Sequence, residues 1–311
     1  MTASVSQVPP SGRHLRAPKF TMALPGIFWY VFFYAIPVAF VVVDSFGYKP
    51  PLGAKGAVRL DKLSFNNYSE VWDTTFRKVF TNTMLIAGMG TLLCVLIALP
   101  VAYYVAMKAG PKLRAAMLIL IIVPFWMSFF TRTLAWRIVL ATNGLISNFL
   151  IDHGLRDTPI KFLDTKGAVL LAVVYNYLPL MIFPLFVSLD RIEPGLREAS
   201  KDLGAGRIKT FFSVTLPLAA PGLTAGSLLV FIPLAGDFVT ATILGGAKGN
   251  MIGRNIYSFV IEAQNLPKGG AAAMLLIVMI LAMIAAAALV VGVAKFAFRQ
   301  NRKVDLRTVA S

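Results

Sequence analysis

The chain has 311 residues, of which 57% are hydrophobic and only 14% are charged, and its mean hydropathy is +0.73. These values exclude an ordinary soluble globular domain and favour a protein of the lipid bilayer. The net charge of +16 comes from lysines and arginines that cluster at the ends of apolar runs, a placement that fits membrane topology and gives no reason to expect a nucleic-acid partner.

Six apolar segments are long enough to cross a bilayer, since a membrane-crossing helix needs about 20 mostly apolar residues. The predicted spans are Met22–Phe46, Asn82–Met107, Arg114–Trp136, Ala168–Leu189, Phe211–Leu234 and Ala271–Phe298. The sequence therefore predicts an all-α, polytopic membrane protein with about six transmembrane helices. We expect a membrane domain over residues 21–298, a disordered cytoplasmic N-terminus over 1–20 and a cytoplasmic tail over 299–311.

Lysines and arginines are densest before the first span, between the second and third spans, and after the last. These residues are Arg13, Arg16, Lys19, Lys108, Lys112, Arg114, Lys295, Arg299, Arg302, Lys303 and Arg307. Because short basic loops stay in the cytoplasm, we expect a multi-pass protein of the cell membrane with both termini cytoplasmic. The loop 190–217 then lies on the same side, and the segments 47–81, 137–167 and 245–270 face outward.

Few residues could support metal or nucleotide chemistry. Cys94 lies inside an apolar run, and the two histidines, His14 and His153, have no second ligand at metal-binding spacing. The glycine-rich stretch 245–248 lacks the spacing of a phosphate-binding loop. We therefore expect no metal site, no cofactor bound by this chain and no ATP hydrolysis by it.

The most informative segment is the loop 190–217, the longest charged stretch between two spans on the predicted inner side. Pro194 suits the first turn of a short helix. Gly204 and Gly206 then permit a tight turn, and a second helix that begins at about Arg207 would run into the next span. The pattern predicts a helical hairpin at the membrane surface.

The first helix of this hairpin is amphipathic, because Leu196, Ala199 and Leu203 recur at helical spacing among charged residues. Such a helix could dock its apolar face in the groove of a partner protein. The alternative from patterning alone is an ordinary solvated loop that carries a surface helix.

A motif within the loop favours docking. Glu198-Ala199-Ser200, followed by Gly204 and by Leu216-Pro217, resembles the EAA loop of permease subunits in binding-protein-dependent ABC importers. The sequence departs from that pattern by Ser200 in place of alanine and Val214 in place of isoleucine. In that family the loop contains the coupling helix that docks on the ATPase. The resemblance implies an ATPase-coupling role for Glu198, Ala199, Ser200, Asp202, Leu203, Gly204 and Pro217.

The resemblance extends from about Leu85 to Ala273. The segments Val123–Trp136, Asn143–Asn148 and Leu244–Gly253 are similar to the first permease subunit of spermidine/putrescine importers. This similarity implies an ABC importer type I permease fold and polyamine import. It also implies three partners: a second, different permease chain, a pair of ATPase subunits that bind ATP and magnesium, and an external substrate-binding protein. A permease for another small solute remains the alternative.

The residues of a substrate passage are sought inside the spans. The candidates are Asp237, Phe125, Trp126, Phe129, Tyr175, Asn176, Phe231 and Phe238. An ionisable residue in the membrane is costly, so Asp237, which follows Gly236 near the outer end of the fifth span, is a functional hypothesis: its carboxylate could attract an amine. Alternatively, Asp237 sits at the water interface or pairs with a neighbouring subunit, and the aromatic residues only pack or form an interface belt. For Arg132 we expect either snorkelling to the outer interface or pairing with an acidic group.

Two other classes of membrane protein can be compared with these features. An intramembrane protease would need a paired membrane aspartate, a histidine within a span or a zinc-binding His-Glu-x-x-His motif. Gly236-Asp237 has no second aspartate near it in the sequence, and the other two features are absent from the sequence. A transporter that works without ATP is physically compatible with the amphipathic loop. The EAA resemblance argues against it.

Overall fold

The computed structural model of the protein describes residues 23–51 and 58–305. The predicted N-terminal tail, 1–20, lies outside these residues. The α-helices are α1 (Leu24–Tyr30), α2 (Ile36–Ser45), α3 (Asn66–Val71), α4 (Thr74–Met107), α5 (Pro111–Ile122), α6 (Phe129–Val139), α7 (Leu145–Asp152), α8 (Lys166–Asp190), α9 (Pro194–Asp202), α10 (Arg207–Thr210), α11 (Leu216–Ala235), α12 (Ile252–Tyr257) and α13 (Leu266–Asp305). Pairing between extended segments in this part of the chain is limited to one bridge, between Tyr48 and Arg59.

The predicted all-α membrane architecture is confirmed. Five helical stretches are long and apolar enough to cross a bilayer: Leu24–Ser45, Thr75–Met107, Lys166–Asp190, Arg207–Ala235 and Leu266–Ala285. A sixth crossing is possible through the two segments Pro111–Trp126 and Phe129–Val139, which are bent by 91° relative to each other. The described chain thus has six spans if the bent pair counts as one.

The predicted span Arg114–Trp136 is not one straight helix. Helix α5 ends at Ile122, a short 3-10 turn covers Pro124–Trp126, and α6 starts at Phe129 after Met127 adopts an extended conformation (ψ 149°). Pro124 carries no backbone N–H and cannot continue the α-helical hydrogen bonds, which accounts for the end of α5. The residues on either side of Pro124 are apolar, so a hydropathy profile shows no interruption at this position.

Two other spans are longer than predicted. Helix α4 begins at Thr74 rather than Asn82, because the side chain of Asp73 accepts a hydrogen bond from the Phe76 amide (2.7 Å) and caps the helix. Helix α13 runs from Leu266 to Asp305, so it continues into the predicted cytoplasmic tail. Hydropathy marks only the part of each helix that lies in lipid, and both extensions are polar.

The core is formed by α4, α8 and α11, which contact one another, with α8 the most buried of the three. Glycines bring the backbones of α8 and α11 close together. A methyl group added to Gly222 would collide with Ser188 and the Pro184 carbonyl, and one added to Gly226 would lie 2.9 Å from the Met181 sulfur. Close approach through small residues is the usual way in which transmembrane helices pack.

The first span lies at the edge of this core. Helix α2 packs on α13, and a methyl group added to Gly270 of α13 would lie 3.3 Å from the Cβ of Ser45. Most side chains of α1 are exposed, including Phe28, Trp29 and Tyr30. Exposed apolar side chains of this kind suit contact with lipid or with another membrane subunit.

Candidate coupling hairpin and substrate passage

The segment 194–210 forms the predicted helical hairpin. Helix α9 begins at Pro194, as expected, and ends in a left-handed turn in which Gly204 has φ +81°. The Gly204 amide donates to the Lys201 carbonyl (2.8 Å), and the Ala205 amide donates to the Ser200 carbonyl (3.1 Å). These two bonds define a Schellman motif, which closes the helix and reverses the chain. Glycine suits this position because it has no side chain, whereas L-amino acids adopt a positive φ only at a cost in free energy.

A hydroxyl pair ties the two arms of the hairpin together. The Ser200 Oγ of α9 and the Thr210 Oγ1 of α10 lie 3.1 Å apart and share a hydrogen bond, and Thr210 is buried. Thr210 Oγ1 also lies 3.4 Å from the Ala205 carbonyl. Sequence reasoning identified Ser200 through the motif and missed Thr210, which lies outside the motif and is recognised only by its contacts.

The other predicted coupling residues face outward. Glu198, Ala199 and Asp202 are exposed on α9, and Leu203 exposes 89% of its surface. An apolar side chain exposed at the tip of a charged helix is a candidate contact for a partner protein. Pro217 is separate from this group, because it lies in the first turn of α11.

The hairpin runs directly into the next span. Helix α10 is followed by a π-helical turn, 211–215, in which the Leu216 amide donates to the Phe211 carbonyl. Pro217 offers no N–H to the preceding turn, and a widened turn accommodates that loss. The same arrangement occurs in the first span, where a π turn over 31–35 precedes Pro37. The helix therefore changes its winding at Leu216 and Pro217 without ending there.

A second group of predicted residues lies between the bent helix α6 and α8. Asn176 is 1% exposed, and its Nδ2 donates to Thr133 Oγ1 of α6 (3.1 Å). Arg132 is 5% exposed; its Nη1 lies 3.5 Å from the Asn176 carbonyl. Its guanidinium carbon is 5.5 Å and 5.8 Å from the ring centroids of Phe125 and Phe129. Phe125, Phe129 and Asn176 are thus brought together around one buried cation.

Neither form of the expectation for Arg132 is met among the described residues. The side chain is buried rather than exposed, and no carboxylate of the described residues lies within salt-bridge distance of it. The aromatic faces and a carbonyl dipole stabilise the cation in their place. Two polar atoms in the group, Arg132 Nε and Asn176 Oδ1, are buried without a hydrogen-bond partner in the described part of the chain.

The remaining aromatic candidates differ in their surroundings. Tyr175 is exposed and packs edge-on against Trp136 of α6, with 5.5 Å between the ring centroids. Trp126 lies at the bend and exposes 83% of its surface, outside the Arg132 group. Phe231 of α11 is partly buried and packs on the core, and Phe238 stacks on Tyr257 at a centroid distance of 5.3 Å.

Asp237 lies in the turn after α11 and is 6% exposed. Its Oδ1 accepts from the Thr240 amide (3.0 Å) and its Oδ2 accepts from the Thr240 hydroxyl (2.6 Å). The carboxylate therefore holds the start of the following turn, as an N-cap residue does. That turn, 241–245, packs on both α6 and α8, and Arg137 of α6 donates to the Ile243 carbonyl (3.3 Å). Asp237 thus holds a turn that packs on the two helices that carry Arg132 and Asn176.

With this geometry in place, comparison with known proteins decides the family. A family profile described as "Binding-protein-dependent transport system inner membrane component" matches residues 98–298. The chain belongs to this family. The spermidine/putrescine transport system permease protein PotB of Haemophilus influenzae is 36% identical over 255 residues, which cover 81% of this chain and 86% of that one. PotB of Escherichia coli K12 is 34% identical over 243 residues, 78% and 86% of the two chains.

The fold agrees with the family. A crystal structure of a bacterial alginate ABC transporter in complex with its alginate pentasaccharide-bound periplasmic protein superposes with a TM-score of 0.66 at 17% identity. The superposition covers 85% of this chain and 90% of that one. The type I permease fold implied by the EAA motif is therefore confirmed, and so is the prediction that the chain is a transport subunit of the inner membrane rather than an enzyme.

Two hydroxyl residues of this permease were not found from sequence. Thr240 follows Asp237 by three residues, the spacing at which a capping carboxylate meets a helix-start amide, so this pair carried a usable signal. Thr133 supports Asn176 from a helix far away in the chain, and no local pattern marks it. The Thr240 hydroxyl donates a hydrogen bond to Asp237, and the Thr133 hydroxyl accepts one from Asn176. Each hydroxyl is therefore bonded to a predicted passage residue.

Proposed function

We propose that this permease imports polyamines, with spermidine and putrescine as the substrates. The observation that carries the proposal is the 34–36% identity to the PotB permeases over about four-fifths of the chain. The likeness extends across nearly the whole membrane domain of both proteins. It therefore includes the passage as well as the docking loop.

The proposed transporter contains a second, different permease chain, two ATPase subunits and an external binding protein. Binding-protein dependence is part of the family description, and the alginate transporter has been crystallised with its periplasmic protein. In this proposal ATP and magnesium bind to the ATPase subunits only. Closure of the ATPase pair pushes on the permeases and opens the passage outward.

The hairpin 194–210 is proposed to be the docking element on this permease. Its Schellman turn and the hydrogen bond between Ser200 and Thr210 hold its two helices together, so that the hairpin moves as one unit in this proposal. Glu198, Asp202 and Leu203 are exposed at its surface and supply a mixed apolar and acidic contact. Docking on a cytoplasmic ATPase requires this hairpin to lie in the cytoplasm. With six spans, both termini then lie on that same side of the membrane.

The passage is proposed to run beside α6, α8 and the turn 237–245. Asn176 Oδ1 is a buried acceptor with no partner in the described chain, which a substrate ammonium group could use. Asp237 adds negative charge, and each of its oxygens retains a lone pair beyond its bond with Thr240. The aromatic faces of Phe125 and Phe129 are engaged by Arg132 and are therefore not free to bind the amine.

The proposal is tested by uptake of labelled spermidine and putrescine into cells that retain the ATPase and the binding protein but lack this gene and other polyamine importers. Uptake should return with the wild-type gene and with Gly206→Trp, but not with Gly204→Trp. Gly206 is the matched control, since it has φ −64° and open space around it. Unchanged uptake after deletion would overturn the substrate and leave the family intact. Full uptake by Gly204→Trp would contradict the coupling role.

A further inference from the structure

A basic cavity of about 580 Å³ lies beneath the hairpin, where α4 ends and the α11 span begins. Four of its lining residues are cations: Lys108, Arg197, Lys201 and Arg207. Carboxylates are missing from the lining, and none of these cations has a salt-bridge partner among the described residues. The C-terminal ends of α4 and α9 each contribute only about half a negative charge, so the cavity keeps a net charge of roughly +3.

The Arg197 side chain is held without an anion. Its Nη1 lies 3.2 Å from the sulfur of Met107, which is a weak acceptor, and its Nε is buried with no hydrogen-bond partner in the described chain. Desolvating part of a guanidinium costs free energy unless an acceptor is supplied. Since the fold supplies none, the arrangement points to an anionic group that enters from outside the chain.

The remaining walls of the cavity are those of a membrane boundary. Tyr103 and Phe211 pack edge to face with 5.6 Å between their centroids, and Phe212 and Ile208 are exposed beside them. The residues mark the ends of two spans, Thr75–Met107 and Arg207–Ala235, so the cavity lies at the level of lipid headgroups. The cations of the cavity could contact the phosphate of a phospholipid, and its apolar walls could contact the acyl chains.

We propose that this cavity binds the phosphate group of an anionic phospholipid at the base of the hairpin. The bound phosphate carries one negative charge, which offsets part of the positive charge of the cavity, and it accepts a hydrogen bond from Arg197. Because Arg197 and Lys201 lie on α9 while Lys108 follows α4 and Arg207 begins α10, the lipid joins the hairpin to the membrane core. Anionic lipid thereby stiffens the element on which the ATPase is proposed to dock.

The test measures phosphatidylglycerol and phosphatidylcholine bound to the purified complete transporter by native mass spectrometry. The variant Arg197→Gln/Lys201→Gln should weaken phosphatidylglycerol binding roughly 30-fold, the effect of losing two cations near a lipid surface. The control Arg191→Gln/Lys209→Gln removes the same charge from positions outside the cavity and should change binding less than about threefold. The swap Arg197→Lys/Lys201→Arg should retain binding, which separates charge from misfolding.

Three results would overturn the proposal. Equal weakening in the cavity variant and the control would show general surface charge. Equal binding of phosphatidylglycerol and phosphatidylcholine, with inorganic phosphate bound and lost in the cavity variant, would identify free phosphate as the ligand. Phosphatidylglycerol bound by the permeases alone but displaced when the ATPase is added would make the cavity part of the protein interface.

Discussion

Gly204→Ala is the sharpest test of the hairpin turn. At φ +81° an alanine Cβ meets no atom within 4 Å, so the substitution introduces backbone strain without a steric clash. The left-handed conformation costs an L-residue roughly 1–2 kcal/mol. The equilibrium between the closed and the open turn should therefore shift about 5- to 30-fold toward the open form.

Hydrogen exchange measures this shift directly. The amides of residues 204 and 205 donate the two bonds that close the turn, so their exchange in the purified transporter should accelerate by that factor in Gly204→Ala. Gly206→Ala is the matched control: the same atoms are added two residues away, at φ −64° and again in open space. It should leave exchange unchanged or slower. We attribute the effect of Gly204→Ala to its positive φ. Equal acceleration of exchange in both variants would refute this, because it would show that replacing either glycine by alanine opens the turn.

Three further outcomes are expected. Asp237→Asn should lower polyamine uptake more than it lowers assembly of the complex. An equal loss of both would show that the only role of Asp237 is structural, through its hydrogen bonds with Thr240. Arg132→Met should reduce uptake while leaving the thermal unfolding temperature unchanged or higher, since it removes a buried cation that lacks a carboxylate; a large fall in that temperature would contradict this. Gly222→Ala should destabilise the permease by about 1–3 kcal/mol through overpacking, whereas Gly88→Ala, in open space on α4, should not, as detergent unfolding curves would show.

Much of the architecture follows from hydropathy, because lipid imposes a simple rule on the chain. A backbone inside the bilayer must satisfy its own hydrogen bonds, so apolar runs of sufficient length become helices. That rule located the spans around α4, α8, α11 and α13. It carries no information about what happens within an apolar run, where only the proline at position 124 marks the break between α5 and α6.

The hairpin was predictable because its signals are local. Pro194 at a helix start and Gly204 at a left-handed turn each act through their own backbone conformation, which a single sequence displays. The Arg132 group was not predictable in the same way. Its partners, Phe125 and Asn176, lie on different elements, and the burial of the guanidinium depends on how α6 folds back on α8.

The two candidate sites form one mechanical unit through α11. The helical stretch from Arg207 to Ala235 has 29 residues, so at about 1.5 Å per residue it spans roughly 43 Å, enough to cross the bilayer. The hairpin is joined to one end without a break, and Asp237 follows the other.

A displacement of the hairpin therefore enters α11 directly. Gly222 and Gly226 hold α11 so close to α8 that it cannot turn without shifting its neighbour. Helix α8 carries Asn176, whose bond to Thr133 attaches the bent helix α6. We infer that movement of the ATPase reaches the passage along α11 and spreads through α8. This route requires the close contact at Gly222, and a variant that separates the two helices should uncouple ATP hydrolysis from uptake even where the hairpin still docks.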